Sequence, residues 1–188
     1  MISVTIKERD LHFKTSENVF SPEKIDLGTL TMLWKVEFLD NDRVLDLGCG
    51  YGVVGILAAK FVGNDNVVMV DINKEAIELA KENISLNNVS GINIYQSDSF
   101  KNFQETDFSL ILSNPPYHVD FNIPKSFIEK GFNRLRVGGR MYLVTKRKDW
   151  YKNKMISIFG GVKIWEENGY YVFMSIKNSM KYANKSKK

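Results

Sequence analysis

Residues 43–56, RVLDLGCGYGVVGI, constrain this chain more than any other stretch. The apolar run Val44–Leu47 reads as a buried strand and ends on Gly48-x-Gly50-x-Gly52. An apolar, helix-prone stretch from Gly52 to Phe61 follows. Glycines at such a junction let the backbone turn sharply and approach a ligand closely. A strand, glycine loop and helix in that order belong to a parallel sheet, and the rest of the chain fits one. Val67–Val70, Ile92–Tyr95, Phe108–Leu112 and Met141–Thr145 read as further strands. Asn73 can cap a helix carrying Ala76, Ile77, Ala80 and Ile84 at helical spacing. Phe127, Ile128, Gly131, Phe132 and Leu135 form one face of another helix, with Pro124 near its start.

The end breaks this rhythm. Val162–Glu166 and Tyr170–Ile176 flank Asn168-Gly169, a strong hairpin signal. The expected fold is α/β, a seven-stranded, mostly parallel sheet with a C-terminal antiparallel hairpin and helices on both faces. At the start, Val4/Ile6 and Leu11/Phe13 alternate around Arg9-Asp10 and predict a small hairpin over residues 1–19. Leu27, Leu30, Trp34 and Phe38 predict a helix before the first central strand. Residues 20–176 form the main domain, and 177–188, with five lysines and no acid, read as a frayed basic tail. Trp34, Trp150 and Trp165 read as core or rim residues.

Composition closes off several classes. The 188 residues suit one globular domain. No run of about 18 apolar residues suggests a membrane span. The charged N-terminus, MISVTIKERD, lacks the apolar core of a secretion signal, so a cytoplasmic protein is expected. One cysteine and two histidines, His12 and His118, exclude a disulfide framework and give no expected metal site. Residues 1–139 carry a net charge of −5 and residues 140–188 one of +9, which points to partners of opposite charge.

Two cofactors compete for the glycine loop. Gly50-Tyr51-Gly52-Val53-Val54-Gly55 matches the dinucleotide pattern G-x-G-x-x-G, and Asp71, about 20 residues on, suits ribose hydroxyls. Asp46 separates the readings. It lies two residues before the first glycine, near where a pyrophosphate would sit, and an anion there repels a diphosphate. S-adenosylmethionine has no phosphate and carries an ammonium and a sulfonium. Asp98, in QSDSF after the third strand, can accept from an adenine amino group. Three acids at successive strand ends fit a cationic nucleoside.

After the fourth strand comes Ser113-Asn114-Pro115-Pro116-Tyr117. The prolines stiffen the loop and fix its carbonyl acceptors. Asn114 adds a side-chain acceptor, and Tyr117 offers a flat face to a planar substrate. Two acceptors holding the N–H bonds of an exocyclic amine would aim its lone pair at a methyl donor, with no strong base required. His118 follows as a loop histidine. Lys146-Arg147-Lys148, after the fifth strand, reads either as a phosphate contact or as a solvated helix start.

These motifs resemble the class I S-adenosylmethionine-dependent methyltransferases, with their Rossmann-like fold, over roughly residues 20–176. The resemblance implies that Asp46, Gly48 and Gly50 hold the methionine part, Asp71 the ribose diol and Asp98 the adenine. Cys49, Gly52, Ile72 and Ser99, in the same loops, and Asn114 complete the implied cofactor set. Asn-Pro-Pro-Tyr resembles the loop of the enzymes that methylate adenine N6, guanine N2 or glutamine N5, which implies that Asn114, Pro115, Pro116 and Tyr117 are catalytic. Phe20-Ser21, Ile25–Thr29, Leu135–Arg140 and Asn168-Gly169-Tyr170 narrow the resemblance to the RsmC-like small-subunit ribosomal RNA guanine-N2 methyltransferases. In that group the segment before the glycine loop closes over the methionine end, which adds Asp26, Gly28 and Thr29. The implied partner is RNA, 16S ribosomal RNA or the small subunit. Longer members carry an additional N-terminal domain where this sequence has a short segment, so the nucleotide stays open. Glutamine-N5 methylation of release factors and adenine-N6 methylation are the alternatives. A non-catalytic binding module fits poorly with an intact glycine loop beside an intact Asn-Pro-Pro-Tyr.

Overall fold

The computed structural model describes residues 1–116 and 120–185. Seven strands form the central sheet: β3 (Val44–Leu47), β4 (Val67–Asp71), β5 (Asn93–Gln96), β6 (Phe108–Ser113), β7 (Leu135–Thr145), β8 (Lys163–Glu167) and β9 (Tyr170–Ile176). β1 (Ile2–Ile6) and β2 (Arg9–Phe13) make a separate hairpin. The sheet order is β5-β4-β3-β6-β7-β9-β8. Strands β5 to β7 pair in parallel, and β9 runs antiparallel to both β7 and β8. Every residue of β3 and β6 is buried, as continuous apolar strands inside a two-faced α/β sheet must be. The edge strands β5 and β8 are half exposed.

Five helices cover the sheet: α1 (Leu27–Lys35), α2 (Val53–Val62), α3 (Lys74–Leu86), α4 (Asn122–Arg134) and α5 (Asp149–Phe159). The first three and the β1–β2 hairpin pack on one face, and α4 and α5 pack on the other. Strand alternation sends Leu45 and Leu47 toward α4 and α5. Asp46 therefore points the other way, at the first turn of α2.

The N-terminal turn and the tail differ from expectation, and α1 forms where expected. The N-terminal hairpin turns at Lys7-Glu8, both with positive φ (49° and 63°), while Arg9 and Asp10 already lie in β2. Helix α1 forms before β3, with Leu27 and Trp34 exposed (46% and 58%) and Leu30 and Phe38 partly buried against the core. Its inner face is Gly28, Thr31, Met32 and Leu33. Gly28 permits close approach to β9, because a Cβ there would lie 2.6 Å from Tyr170 Cε1. Over its described residues, 177–185, the basic tail is held at Lys177, Tyr182 and Asn184. Lys177 is buried, its Nζ donating to the carbonyls of Phe132 (2.8 Å) and Leu135 (2.7 Å) at the end of α4. Tyr182 packs edge-on against Phe132, with centroids 5.1 Å apart, and Asn184 donates to Ser157 Oγ at 3.0 Å.

The N-terminal hairpin docks through two asparagines one turn apart, Asn83 of α3 and Asn87 that caps its C-terminus. Asn83 accepts from Lys14 N (2.7 Å) and donates to the carbonyls of Lys14 (3.0 Å) and Tyr51 (2.9 Å). Asn87 accepts from His12 N (3.0 Å) and donates to His12 O (2.7 Å).

Candidate active site

A cavity of about 330 Å³ opens at the carboxyl ends of β3, β4 and β6. Its floor is the glycine loop, where Gly48, Gly50 and Gly52 all have positive φ (77°, 54° and 104°). The N–H groups of Gly48 and Cys49 both donate to Val70 O, at 2.8 and 3.0 Å, which pins the loop to β4. A Cβ on Gly50 would meet nothing within 4 Å, so the missing side chain leaves room above the loop. Gly52 does not line the cavity. It caps α2, and a Cβ there would press on Ile56 and Met69 at 3.0 Å. Cys49 is buried, and burial together with Asp46 and Asp71 pushes its thiol well above the usual range.

Asp46 is 2% exposed and accepts from Gly55 N at 2.8 Å. Burial pushes its pKa up to about 7; the Gly55 bond opposes the shift, and the nearby Asp71 charge adds to it. Asp71 ends β4. Its two oxygens accept from Gly50 N and Asn73 N, each at 2.8 Å, which fixes the carboxylate at the cavity wall beside Ile72. Asp98 and Ser99 line the wall after β5, Asp98 in an ion pair with Lys101.

Asn114 follows β6 directly. Its amide Nδ2 donates to Asp26 Oδ2 at 2.8 Å and Thr29 Oγ1 at 3.0 Å. Both N–H bonds are thereby used, and the orientation of the amide is set. Its Oδ1 is buried and receives no hydrogen bond among the described residues. Asp26 is the N-cap of α1, accepting from Thr29 N at 2.8 Å. Its Oδ1 accepts from the Tyr170 hydroxyl at 3.4 Å. One carboxylate thus joins α1, the loop after β6 and the start of β9. Pro115 and Pro116 also line the cavity, while Tyr117 and His118 lie outside the described residues.

All the other expected residues except Gly52 and Gly28 line this cavity. Tyr51, between two loop glycines, was not anticipated. Its hydroxyl donates to Ser21 O at 3.3 Å, tying the glycine loop to the segment that carries Phe20 and Ser21 over the cavity. Burial pushes the Tyr51 hydroxyl up to about 12, so it remains a donor. Tyr170 was expected only as part of the last hairpin turn, and its contact with Asp26 becomes visible only once β9 is placed.

The lining carries four carboxylates, Asp26, Asp46, Asp71 and Asp98, and among the described residues no lysine, arginine or histidine. Such a wall disfavours a diphosphate and suits a nucleoside bearing positive charge. The open space over Gly50, and an Asn114 Oδ1 without a donor among the described residues, fit S-adenosylmethionine. Among the described residues no three His, Cys, Asp or Glu side chains gather as metal ligands, and no helix is long and apolar enough to cross a membrane.

The methyltransferase small domain model matches residues 10–175. The chain is 29% identical to the uncharacterized protein YbxB of Bacillus subtilis (strain 168), covering 93% of this chain and 90% of that one. It is 33% identical to Ribosomal RNA small subunit methyltransferase C of Haemophilus influenzae (strain PittGG), over 85% of this chain and 49% of that one. Among solved structures, the T. thermophilus 16S rRNA N2 G1207 methyltransferase (RsmC), in complex with AdoMet and guanosine, superposes with a TM-score of 0.87 at 26% identity. That match covers 94% of this chain and 50% of the other. The chain thus spans about half the length of these RsmC relatives. With its sheet order, its glycine loop and a family match over nearly its whole length, the chain belongs to the methyltransferase small domain family of S-adenosylmethionine-dependent methyltransferases.

Proposed function

We propose that the chain transfers a methyl group to an exocyclic amine of RNA, and that the amine is guanine N2 in 16S ribosomal RNA. The observation that carries this reading is the Asn114 side chain, whose N–H groups are both engaged while its buried Oδ1 lacks a donor among the described residues. An unsatisfied buried acceptor costs about 1–3 kcal/mol, and a substrate N–H would remove that cost. S-adenosylmethionine would supply a methyl group on a sulfonium: the nitrogen lone pair would form the N–C bond as the C–S bond breaks, with neutral S-adenosylhomocysteine as leaving group. In this reading Asp46, Gly48, Cys49 and Gly50 hold the methionine part, Asp71 and Ile72 the ribose, and Asp98 and Ser99 the adenine. Asn114 Oδ1 and the stiff Pro115-Pro116 backbone hold the amine so that its lone pair points at the methyl carbon. Asp26 and Thr29 act through Asn114 by fixing its amide. The methylated nitrogen is an acidic ammonium that loses its proton to water, so the lining needs no strong base. The guanosine bound to the T. thermophilus relative supports the choice of base.

The test is transfer of labelled methyl from S-adenosylmethionine to separated 16S and 23S ribosomal RNA, tRNA and release factor, followed by nucleoside and amino-acid analysis. N2-methylguanine in 16S RNA is the expected product. Label only in release-factor glutamine, or only in N6-methyladenine, would replace this reading with the corresponding alternative.

A further inference from the structure

The basic excess of residues 140–188 is distributed unevenly around the molecule. Arg140 is spent on the buried Asp42 and Lys154 on Glu129. Lys177 is buried on α4 carbonyls. Because β9 runs against β7, with Arg140 opposite Ile176, the tail that follows leaves from the sheet edge opposite the cavity. Lys181 is exposed on that far side.

Lys146, Arg147 and Lys148 are placed differently. β6 and β7 are parallel neighbours, with Ser113 opposite Leu143. Asn114 and the Lys146–Lys148 loop therefore leave the same edge of the sheet from adjacent strands. All three cations are exposed, and each rests on an aromatic ring: Lys146 on Tyr170 (5.0 Å), Arg147 on Phe121 (4.9 Å) and Lys148 on Tyr171 (5.3 Å). Phe121 is itself stacked on Trp150 at 4.5 Å and 25°. The Arg147 backbone N–H donates to Thr145 Oγ1 at 3.2 Å, which holds the loop against its strand. A ring positions a cation without neutralising it. Arg147 and Lys148 form no ion pair among the described residues, and between residues 141 and 165 Asp149 is the single acid against six basic residues.

We propose that Lys146, Arg147 and Lys148 bind backbone phosphates of single-stranded RNA flanking the target nucleotide. The proposal rests on the RNA reading above. An exocyclic amine reaches an enclosed cavity only when its base is out of the duplex stack, so the adjoining nucleotides arrive unpaired. Their phosphates then pass the sheet edge beside Asn114, where three fixed cations face them.

The experiment measures binding of a fluorescent single-stranded RNA oligonucleotide to the full chain across a salt series. It compares wild type, the R147Q/K148Q double variant and K181Q. Each phosphate contact to a single strand contributes about 0.7 to the slope of log affinity against log salt. R147Q/K148Q is expected to flatten that slope by about 1.4 and to weaken binding roughly twenty-fold at 0.1 M salt. K181Q is expected to leave the slope unchanged, and S-adenosylmethionine affinity of the double variant, a check on folding, should match wild type. An unchanged slope in R147Q/K148Q, with wild type binding and methylating RNA, overturns this proposal and leaves the function intact. Flattening by K181Q alone moves the track to the far edge and also overturns it. Wild type that neither binds RNA at low salt nor methylates it overturns both.

Discussion

The Asp71 carboxylate reaches back from the end of β4 to accept the Gly50 N–H at 2.8 Å, so the acid that ends one strand braces the loop that follows its neighbour. Asp71 borders the cavity, and each carboxylate oxygen keeps further acceptor capacity. Charged hydrogen bonds to ribose hydroxyls contribute about 1.5–3 kcal/mol each. Asp71→Ala is therefore expected to weaken S-adenosylmethionine binding at least roughly tenfold by calorimetry. Asp71→Asn, which keeps an acceptor for Gly50, should fall between wild type and Ala. Unchanged affinity in a folded Ala variant would remove Asp71 from the cofactor site.

Asn114→Ala is expected to lower single-turnover methyl transfer on the order of a hundredfold, as for loss of one preorganised polar group. Cofactor affinity should stay within a few fold. Asp26→Ala should slow transfer as well, because Asp26 acts by fixing the Asn114 amide. The double variant is then expected to be little slower than Asn114→Ala. Fully additive losses would show that Asp26 has a separate task.

Asp46 couples stability to pH. With a folded-state pKa near 7 against an ordinary value of 3.8, it keeps its proton in the folded protein while the unfolded chain ionises. Its contribution to stability is complete below about pH 4 and is lost as pH rises through 7, up to roughly 4 kcal/mol in all. A cationic ligand favours the ionised form, so S-adenosylmethionine affinity should rise across the same window. Asp46→Asn should flatten both trends, giving a ligand-free protein more stable than wild type at pH 8 and a weaker binder. Urea denaturation and calorimetry at pH 5.5, 6.5 and 8 measure this, and parallel curves for the two proteins would refute it.

Asn83→Ala leaves the Lys14 N–H and the Lys14 and Tyr51 carbonyls without their partner. We expect a loss of about 1–3 kcal/mol in urea denaturation. Amide exchange at Lys14 should accelerate more than exchange in β3 or β6. A variant as stable as wild type would mean that the hairpin is held by its apolar contacts alone.

What the sequence revealed and what it concealed divide along a physical line. Val44–Leu47, the loop glycines, the Asn73 cap and the Asn168-Gly169 turn are local signals, and each element forms where its pattern lies. Helix α5 also carried a pattern, Tyr151, Met155, Ile158 and Phe159, but interleaved lysines masked it. Helix α1 turns Met32 and Leu33 inward beside Gly28, whose missing Cβ admits Tyr170, and that contact has no mark in the local sequence. The two α3 asparagines look like part of a solvated face until β2 is laid beside them. The Asp26–Asn114 bond joins residues 88 apart, and no periodicity encodes it. Lys177 read as tail because a lysine capping the carbonyls at the end of a helix has no local mark.

The sheet order also bears on how the chain assembles during synthesis. β9 is made after β8 yet lies inside it, between β8 and β7. Until residues 170–176 leave the ribosome, the outer edge of β7 has no strand beside it, the kind of open edge that invites pairing with another chain. Asp26 lacks its Tyr170 contact for the same interval. The segments of the glycine loop and cavity floor therefore emerge early, and the Asp26 contact to Tyr170 waits for β9, the last of the described strands.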